Sequence, residues 1–400
     1  MRVLFLTFYF EPDLCAGSFR STSLVNEMVK RLPPNSHIDV FSTQPNRYAS
    51  FNQVADEIEE REQVTVHRIT LPEHNSNMFD QSRAFYSYYR GVNKSIRNRD
   101  YDLVFATSSR LFTAFLGARI AKTKKAKLYL DIRDIFVETM DCVLDTTLKI
   151  PLIPLLRLIE NYTFLQADKI NLVSEGFYNY FSGNYPNLKF DYFTNGIDSE
   201  FIDSFSVNKR EPIVERNKTK ELVIVYAGNI GEGQGLNKIL PKLAKRLSGI
   251  AKFKVIGDGG RKVELERALK LQGNNNVELL NPISRKELIK YYREADLLFL
   301  HLNNIPAFER VLPSKIFEYA AMGKPILAGV GGYAASFVSK NIPSAVVFSP
   351  CDSGAAYEAV INLPIPCLTQ VSPDFISEYC RENIAKKMAD SVLELSDDII

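Results

Sequence analysis

Ser314, Lys315 and Glu318 are the residues whose types and spacing point most directly to chemistry. They lie in Leu312 to Val330, LPSKIFEYAAMGKPILAGV. Pro313 suits the first turn of a helix, where a missing N–H costs little. Gly323 suits the C′ position that ends it, and Pro325 prevents resumption. The spacing predicts a helix with Ile316 and Ala320 on one face and Phe317 and Ala321 on another. Ser314 and Glu318 share a third, polar face. A carboxylate then sits one turn inside a helix whose open N-terminus favours anions, and Lys315 adds a full charge. Phosphate at the helix start, with hydroxyls in reach of Glu318, describes a nucleoside diphosphate lying along the helix. The same pattern also fits a core helix carrying a solvated Glu and Lys.

The elements that must position these residues alternate. In the first half, apolar strand-like runs fall at Val3–Phe10, His37–Ser42, Thr65–Leu71, Leu103–Thr107, Lys127–Asp131, Ile170–Val173 and Asp191–Thr194, with helical stretches between most of them. In the second half they fall at Leu222–Ala227, Lys252–Ile256, Val277–Leu280, Leu297–Leu302, Ile326–Ala328 and Ala345–Phe348. Such alternation gives parallel sheets covered by helices, an α/β fold with two Rossmann-like doubly wound domains. The charged, aromatic-poor run Val207 to Lys220, VNKREPIVERNKTK, reads as the linker. The expected division is 1–206, linker 207–220, 221–371, and C-terminal helices over 372–400 that return to the first domain. Four hundred residues that are 46% hydrophobic suit two domains with buried cores.

Composition also excludes some classes. A net charge of +2 gives no argument for nucleic acid, and none is expected as a partner. Five scattered cysteines without a C-x-x-C pair and four histidines without zinc spacing predict a reduced, cytoplasmic protein with no structural metal. The opening VLFLTFYF is too short for a signal peptide, and no apolar run reaches membrane-spanning length without a charge or proline.

Ligands in parallel sheets sit at the carboxyl ends of strands, so the strand-to-helix loops are candidates. The first, EPDLCAGSFRST, has Gly17 for close backbone approach and Ser18 as a possible helix cap. An ordinary turn fits equally well. The second is Asp131-Ile132-Arg133-Asp134, which would suit a cleft or an Asp–Arg pair capping the next helix. The third is Gly228-Asn229-Ile230-Gly231-Glu232-Gly233-Gln234-Gly235, a turn whose backbone N–H groups can face phosphate. His301, alone at the end of its strand, reads as structural.

The 312–330 stretch resembles the signature helix of the family-four retaining glycosyltransferases of GT-B fold. Its closest likeness is the bacterial surface-polysaccharide branch labelled amino-sugar or L-fucosamine transferases. The matching residues are Pro313-Ser314-Lys315, Ile316-Phe317, Glu318-Tyr319 and Gly323-Lys324-Pro325. The resemblance implies two Rossmann-like domains facing across a cleft, and a cytoplasmic enzyme peripheral on the inner face of the plasma membrane. It would move a sugar, with an N-acetylated deoxyamino sugar as the expectation, from a UDP-sugar to a lipid-linked saccharide in O-antigen, capsule or lipopolysaccharide synthesis. The family needs no divalent metal. By the resemblance Gly17 contacts the donor, with Asp13 and Arg20 as lesser candidates. Asp134 touches sugar or acceptor hydroxyls, and Arg133 stands where many members have histidine. The family places an arginine and a lysine in the 228–235 turn, where this chain has Asn229 and Gln234 beside Gly228 and Gly231. Lys315, and then Arg261, are the cations expected to compensate. Ile283 would meet the uracil, Ser314 and Glu318 the donor, and Phe308 and Glu309 the sugar. The family pairs two glutamates separated by seven residues. Eight positions before Glu318 stands Arg310, with Glu309 one place off.

Between Arg83 and Tyr129 lie eleven bases, among them Lys122, Lys124 and Lys125, against two acids, with Phe85, Tyr86, Tyr88 and Tyr89 at the start. This pattern suits an anionic membrane surface or simply solvated helix ends. The apolar stretch from Lys149 suits a helix lying on a bilayer or packed in a core. Two other readings stay open: a UDP-sugar epimerase of the same fold, and a non-catalytic nucleotide-sugar-binding partner at the membrane.

Overall fold

The computed structural model describes residues 1–45, 55–72, 78–108, 111–208, 221–363 and 372–397. Residues 209–220, most of the expected linker, and Arg110 of the basic run lie outside them. The chain forms two compact units, Met1–Asn195 with Arg381–Ile400, and Gly196–Cys380.

The first unit holds one eight-stranded sheet, ordered β3-β4-β2-β1-β5-β6-β7-β8. Its strands are β1 (Arg2–Leu6), β2 (His37–Thr43), β3 (Ile58–Arg61), β4 (Val64–Ile69), β5 (Leu103–Thr107), β6 (Lys127–Ile132), β7 (Lys169–Leu172) and β8 (Phe190–Asp191). Neighbours are parallel except β3, which runs antiparallel to β4 at the edge. Helices α1 (Ala16–Val29), α2 (Met78–Ser95), α3 (Leu111–Lys124), α4 (Phe136–Val143), α5 (Thr146–Leu165) and α6 (Tyr178–Asn184) connect them. β1 and β5 are almost wholly buried, as their near-continuous apolar runs require of central parallel strands.

The expected strand Val3–Phe10 ends at Leu6, although residues 7–10 stay buried. Hydrophobicity alone cannot tell a strand end from a buried loop. The expected strand Asp191–Thr194 shrinks to two residues because Phe193 and Thr194 spend their carbonyls on Arg20.

The second unit holds a six-stranded, all-parallel sheet, ordered β11-β10-β9-β12-β13-β14. Its strands are β9 (Leu222–Ala227), β10 (Ala251–Ile256), β11 (Val277–Leu280), β12 (Leu297–His301), β13 (Ile326–Gly329) and β14 (Ala345–Phe348). Its helices are α7 (Ser199–Asn208), α8 (Leu236–Arg246), α9 (Lys262–Gln272), α10 (Arg285–Glu294), α11 (Lys315–Ala321), α12 (Gly332–Asn341), α13 (Ser353–Asn362) and α14 (Pro373–Tyr379). Alternation along β9 separates two cores. Ile224 and Tyr226 pack with Leu240 and Leu243 of α8. Val225 and Ala227 pack with Ile316, Phe317 and Tyr319 of α11. The last helix, α15 (Arg381–Asp397), belongs to the first unit, where Met388, Ala389 and Val392 join the core with Phe5, Leu24 and Val40.

Candidate functional site

Each sheet reverses its strand order once, at β1/β5 in the first unit and at β9/β12 in the second. Loops leaving such a pair diverge to opposite faces and open a crevice at the carboxyl ends, where ligands bind. In the second unit these are the 228–235 turn after β9 and the 302–314 segment after β12.

Lys315 occupies that position. A Cβ placed on Gly228, whose φ is +152°, would come within 2.7 Å of Lys315 Cε. Only glycine lets the lysine stem lie on the turn. The Lys315 ammonium is 3.3 Å from Glu318 Oε2, in a half-buried pair. α11 is held from behind: the N–H of Ala227 donates to Tyr319 Oη at 3.1 Å, and Tyr319 packs edge-on against Tyr292. The helix starts at Lys315, with Ser314 as its N-cap, so Pro313 precedes it rather than filling the first turn. Ser314 makes no side-chain cap bond. Gly323, at φ +63°, ends the helix as expected.

The 228–235 turn is braced on all sides. Asn229 Nδ2 donates to Gln234 Oε1 at 2.8 Å, so the two positions expected to lack cations hold a neutral amide pair. Tyr226 Oη donates to the Asn229 carbonyl at 2.6 Å. Asn303 N–H donates to the Gly233 carbonyl at 2.8 Å, and its side-chain amide to the Glu232 carbonyl at 2.9 Å. His301 Nδ1 meets the Gln234 carbonyl at 2.6 Å, and its Nε2 accepts from Cys351 N–H at 2.9 Å. Burial pushes His301 down to about 4, so it stays neutral and donates from Nδ1. It is a brace, as its sequence position suggested.

Arg261, the second expected cation, is already spoken for. Its Nε lies 2.7 Å from Glu232 Oε2 and its Nη1 contacts Glu264. Although desolvation alone would raise it, Lys238 and Arg261 hold the Glu232 carboxyl below its ordinary range. Phe308 packs against Gly233, which brings the 302–314 segment onto the turn. Glu309 is exposed and lies beside Gly331 and Gly332, where α12 begins. Ile283 is half-buried against the core, just before a full capping box between Ser284 and Glu287.

In the first unit, Arg20 is buried. It makes a bidentate pair with Asp131, at 2.8 and 2.9 Å, and donates to the Thr194 and Phe193 carbonyls at 2.7 and 2.8 Å. Asp131 also accepts from Asn171 at 2.7 Å. The Asp–Arg pair at this strand end is therefore Asp131 with Arg20, and it caps no helix: α4 begins at Phe136, with Ile135 as N-cap and no side-chain cap bond. Ser18 is no cap either. Cys15 is the N-cap of α1, and Ser18 lies inside the helix with its Oγ buried and unpartnered. Asp13 is buried in the same loop.

Arg133 follows β6, its N–H donating to Ser108 Oγ at 3.0 Å. Its guanidinium lies on Gly17, where a Cβ would meet Nη1 at 2.5 Å. Burial, reinforced by neighbouring Arg20, presses Arg133 below the usual arginine value against the pull of Asp131. Its Nε is buried without a partner, as is Thr107 Oγ1 at the end of β5. Asp134 is exposed. The structure thus gathers Gly17 and Arg133 in one unit, and Gly228, Asn229, Gly231, Ser314, Lys315 and Glu318 in the other. Tyr226, Asn303 and Tyr319 were missed. A polar residue just beyond a buried strand, as Asn303 stands two places after β12, was the available signal. Among the described residues no group of three or more His, Cys, Asp and Glu side chains is arranged to hold a metal ion.

Two Rossmann-like units of this kind define the GT-B fold of glycosyltransferases. Anabaena HepE, solved with UDP and glucose, superposes with a TM-score of 0.61 at 16% identity, covering 100% of this chain and 98% of its own. WaaG, a glycosyltransferase involved in lipopolysaccharide biosynthesis, gives 0.65 at 14% identity, covering 99% and 98%. Residues 208–363, within the second unit, match the family model described as Glycosyl transferases group 1. A protein of Escherichia coli K12 named as a colanic acid biosynthesis glycosyl transferase, WcaI, is 29% identical over 101 residues. That match spans 25% of each of the two chains.

Proposed function

We propose that this protein transfers a sugar from a UDP-sugar to a lipid-linked saccharide in surface-polysaccharide synthesis, retaining the anomeric configuration, at the inner face of the plasma membrane. The observation that carries the reading is Lys315 lying over the Gly228 turn with Glu318 beside it. Support comes also from HepE, solved with UDP-glucose, and from the biosynthetic roles named for WaaG and WcaI.

In this reading Glu318 accepts from the ribose hydroxyls, Ser314 and the N–H groups of Asn229 and Gly231 face the diphosphate, Gly228, whose own N–H is held by the Ile256 carbonyl at 2.9 Å, gives room for close approach, and Ile283 meets the uracil. Lys315 neutralises charge that develops on the leaving diphosphate, the term that usually dominates such catalysis. Arg261 joins it only by giving up Glu232 or Glu264. Glu309 reads the sugar, and Arg133, Asp134 and Gly17 face the acceptor at the end of the first sheet. The bond from the anomeric carbon to the diphosphate breaks, a bond to the acceptor oxygen forms, and a leaving-phosphate oxygen takes the acceptor proton. An N-acetylated deoxyamino sugar is the expected donor group.

The Asn229–Gln234 amide pair favours a second reading, a nucleotide-sugar binder without transfer. Thermal unfolding with UDP-, GDP-, dTDP- and ADP-sugars tests the donor, since a ligand bound by the native state alone raises its stability. Incubation of the stabilising UDP-sugar without acceptor then separates the alternatives. Slow release of UDP marks a transferase, a new UDP-sugar an epimerase, and neither a binder. Stabilisation by GDP- or ADP-sugars alone would refute the donor assignment.

A further inference from the structure

Two bare aromatic rings stand side by side at the carboxyl end of the first sheet. Tyr178 and Tyr192 are 45 and 41% exposed. Tyr178 begins α6, after the short turn that leaves β7, and Tyr192 directly follows β8. Their ring centres lie 6.2 Å apart, with planes at 63°. Phe190, two residues before Tyr192 and on the same face, meets Tyr178 edge-on at 6.1 Å. Behind them Phe190 leans on Phe181, which packs edge-on against Phe164, and both of those rings are buried. The two tyrosines are therefore the outer layer of an aromatic cluster whose inner rings already fill the core. One exposed ring needs no explanation, but two in contact form a patch.

The patch is held rigid. Phe177, just before Tyr178, is buried, and Ser174 Oγ accepts from the N–H of Gly176 at 3.2 Å in the turn that leads to it. Just after Tyr192, the N–H of Phe193 donates to Asn171 Oδ1 at 2.6 Å, and the Phe193 carbonyl accepts from Arg20 and Asn171 at 2.8 and 3.0 Å. Side chains so placed lose little freedom when a ligand arrives. A carboxylate adjoins the rings. Glu175 is exposed, and burial, then Tyr178 and then Glu175, raise the Tyr192 hydroxyl above its ordinary value. The strand register ties the patch to the residues proposed to face the acceptor. Ile132 pairs with Leu172 and Asn171 with Asp191, so Tyr192 falls in the row of Leu172 and Ile132. Two strand spacings put it about 10 Å from the Ile132 backbone. Arg133 and Asp134 follow Ile132, and Glu175 leaves β7, the strand between.

We propose that Tyr178, Tyr192 and Glu175 form a saccharide subsite, which holds sugar residues of the acceptor behind its reacting end. A pyranose ring presents C–H groups on one face, and these lie flat on the electron-rich face of an aromatic ring. Its hydroxyls project from the rim, where a carboxylate and the tyrosine hydroxyls can take them as hydrogen-bond partners. A carboxylate beside the rings repels phosphate, so the occupant is a glycan and not a lipid headgroup or a nucleic acid. The distance to Ile132 is one that a short oligosaccharide spans, so a chain lying on the tyrosines reaches Asp134 with its end. The inference rests on the proposed transfer to a saccharide for what the subsite serves, but the binding itself needs no donor.

An array of oligosaccharides from bacterial lipopolysaccharide cores and capsules, printed beside the single sugars, tests it with the full chain and no UDP. Oligosaccharides should retain the wild type, and single sugars should not. Tyr178→Leu with Tyr192→Leu keeps apolar bulk but removes the flat rings, and should weaken retention roughly 5- to 100-fold, the scale of two aromatic contacts. Tyr178→Phe with Tyr192→Phe keeps the rings and should bind nearly as the wild type does. Both pairs should keep the wild-type unfolding temperature and UDP-induced shift, because the changed side chains are exposed and the donor residues lie in the second unit. A wild type that no oligosaccharide retains would overturn the proposal, as would retention that the Leu pair leaves unchanged. Equal loss in the Phe and Leu pairs would also overturn it, since stacking would then not be the contact. Retention lost in the Leu pair alone, in a protein with no UDP shift, would support the subsite while refuting the donor assignment.

Discussion

Replacing Glu318 by Gln has two opposed effects on a bound nucleotide, and the structure gives a scale for each. The carboxylate is largely buried and 3.3 Å from the Lys315 ammonium. If it accepts from ribose hydroxyls, removing the charge should lose about 1.5–3 kcal/mol of UDP affinity, the scale for hydrogen bonds to a charged group. The same change frees Lys315 from an i,i+3 pair worth about 0.3–1 kcal/mol in a half-exposed setting. A freed lysine binds phosphate better. The net loss for UDP is therefore about 0.5–2.7 kcal/mol, roughly 2- to 100-fold. Uridine, which cannot use the freed lysine, should lose the full amount. Inorganic pyrophosphate should bind Glu318→Gln equally well or a few-fold more tightly. Calorimetric titration of wild type and variant with all three ligands separates the two effects by sign. Unchanged UDP affinity would remove the ribose assignment. A parallel loss for pyrophosphate and UDP would show that the substitution damages the whole site.

Lys315→Ala should lower transfer by roughly 10²-fold in a steady-state assay, and Asn229→Arg, which breaks the amide pair and restores a cation to the turn, should recover part of that loss. Arg20→Met should cost about 3–5 kcal/mol in urea unfolding because it leaves Asp131 buried without its cation; Arg20→Met with Asp131→Leu should cost less than the single change. Burial, with Glu138 adding to it, raises Glu160 to about 7 despite the Tyr180 hydrogen bond. The folded state thus holds this proton more tightly than the unfolded one, and its contribution is lost as pH climbs from about 4.5 through 7. Glu160→Gln should therefore gain on the wild type by up to about 3 kcal/mol between pH 5 and pH 8, read from unfolding at each pH. Gly17→Ala should move the Arg133 guanidinium and reduce transfer while shifting the unfolding temperature little, since the clash is with the free end of a side chain.

The fold was legible because buried parallel strands are written as uninterrupted apolar runs, as in Leu222–Ala227 and Leu103–Thr107. β3 was not, because IEER at a sheet edge carries the charge that edge strands need and no apolar alternation. The Lys315–Glu318 pair lay within reach, since i,i+3 neighbours meet on any helix, although the spacing argument had joined Glu318 to Ser314. The tie between Arg20 and Asp131 spans 111 positions, and no local pattern reveals it. Arg261 shows both cases: Glu264 is three residues on and foreseeable, while Glu232 reaches it only because two strand-end loops meet. The loss of cations at Asn229 and Gln234 was visible in the letters. That the two amides bond to each other required the turn.

The interleaving of the two units bears on how the protein is made. Gly196–Cys380 is one uninterrupted span, whereas the first unit takes Met388, Ala389 and Val392 from the far end of the chain into its core. On the ribosome, the second unit has all of its residues before the first can close. Until α15 emerges, the apolar surface of α1 and of the β1–β2 strands that it covers stands open to chaperones. A stop codon a few turns early would spare the second unit and unseal the first.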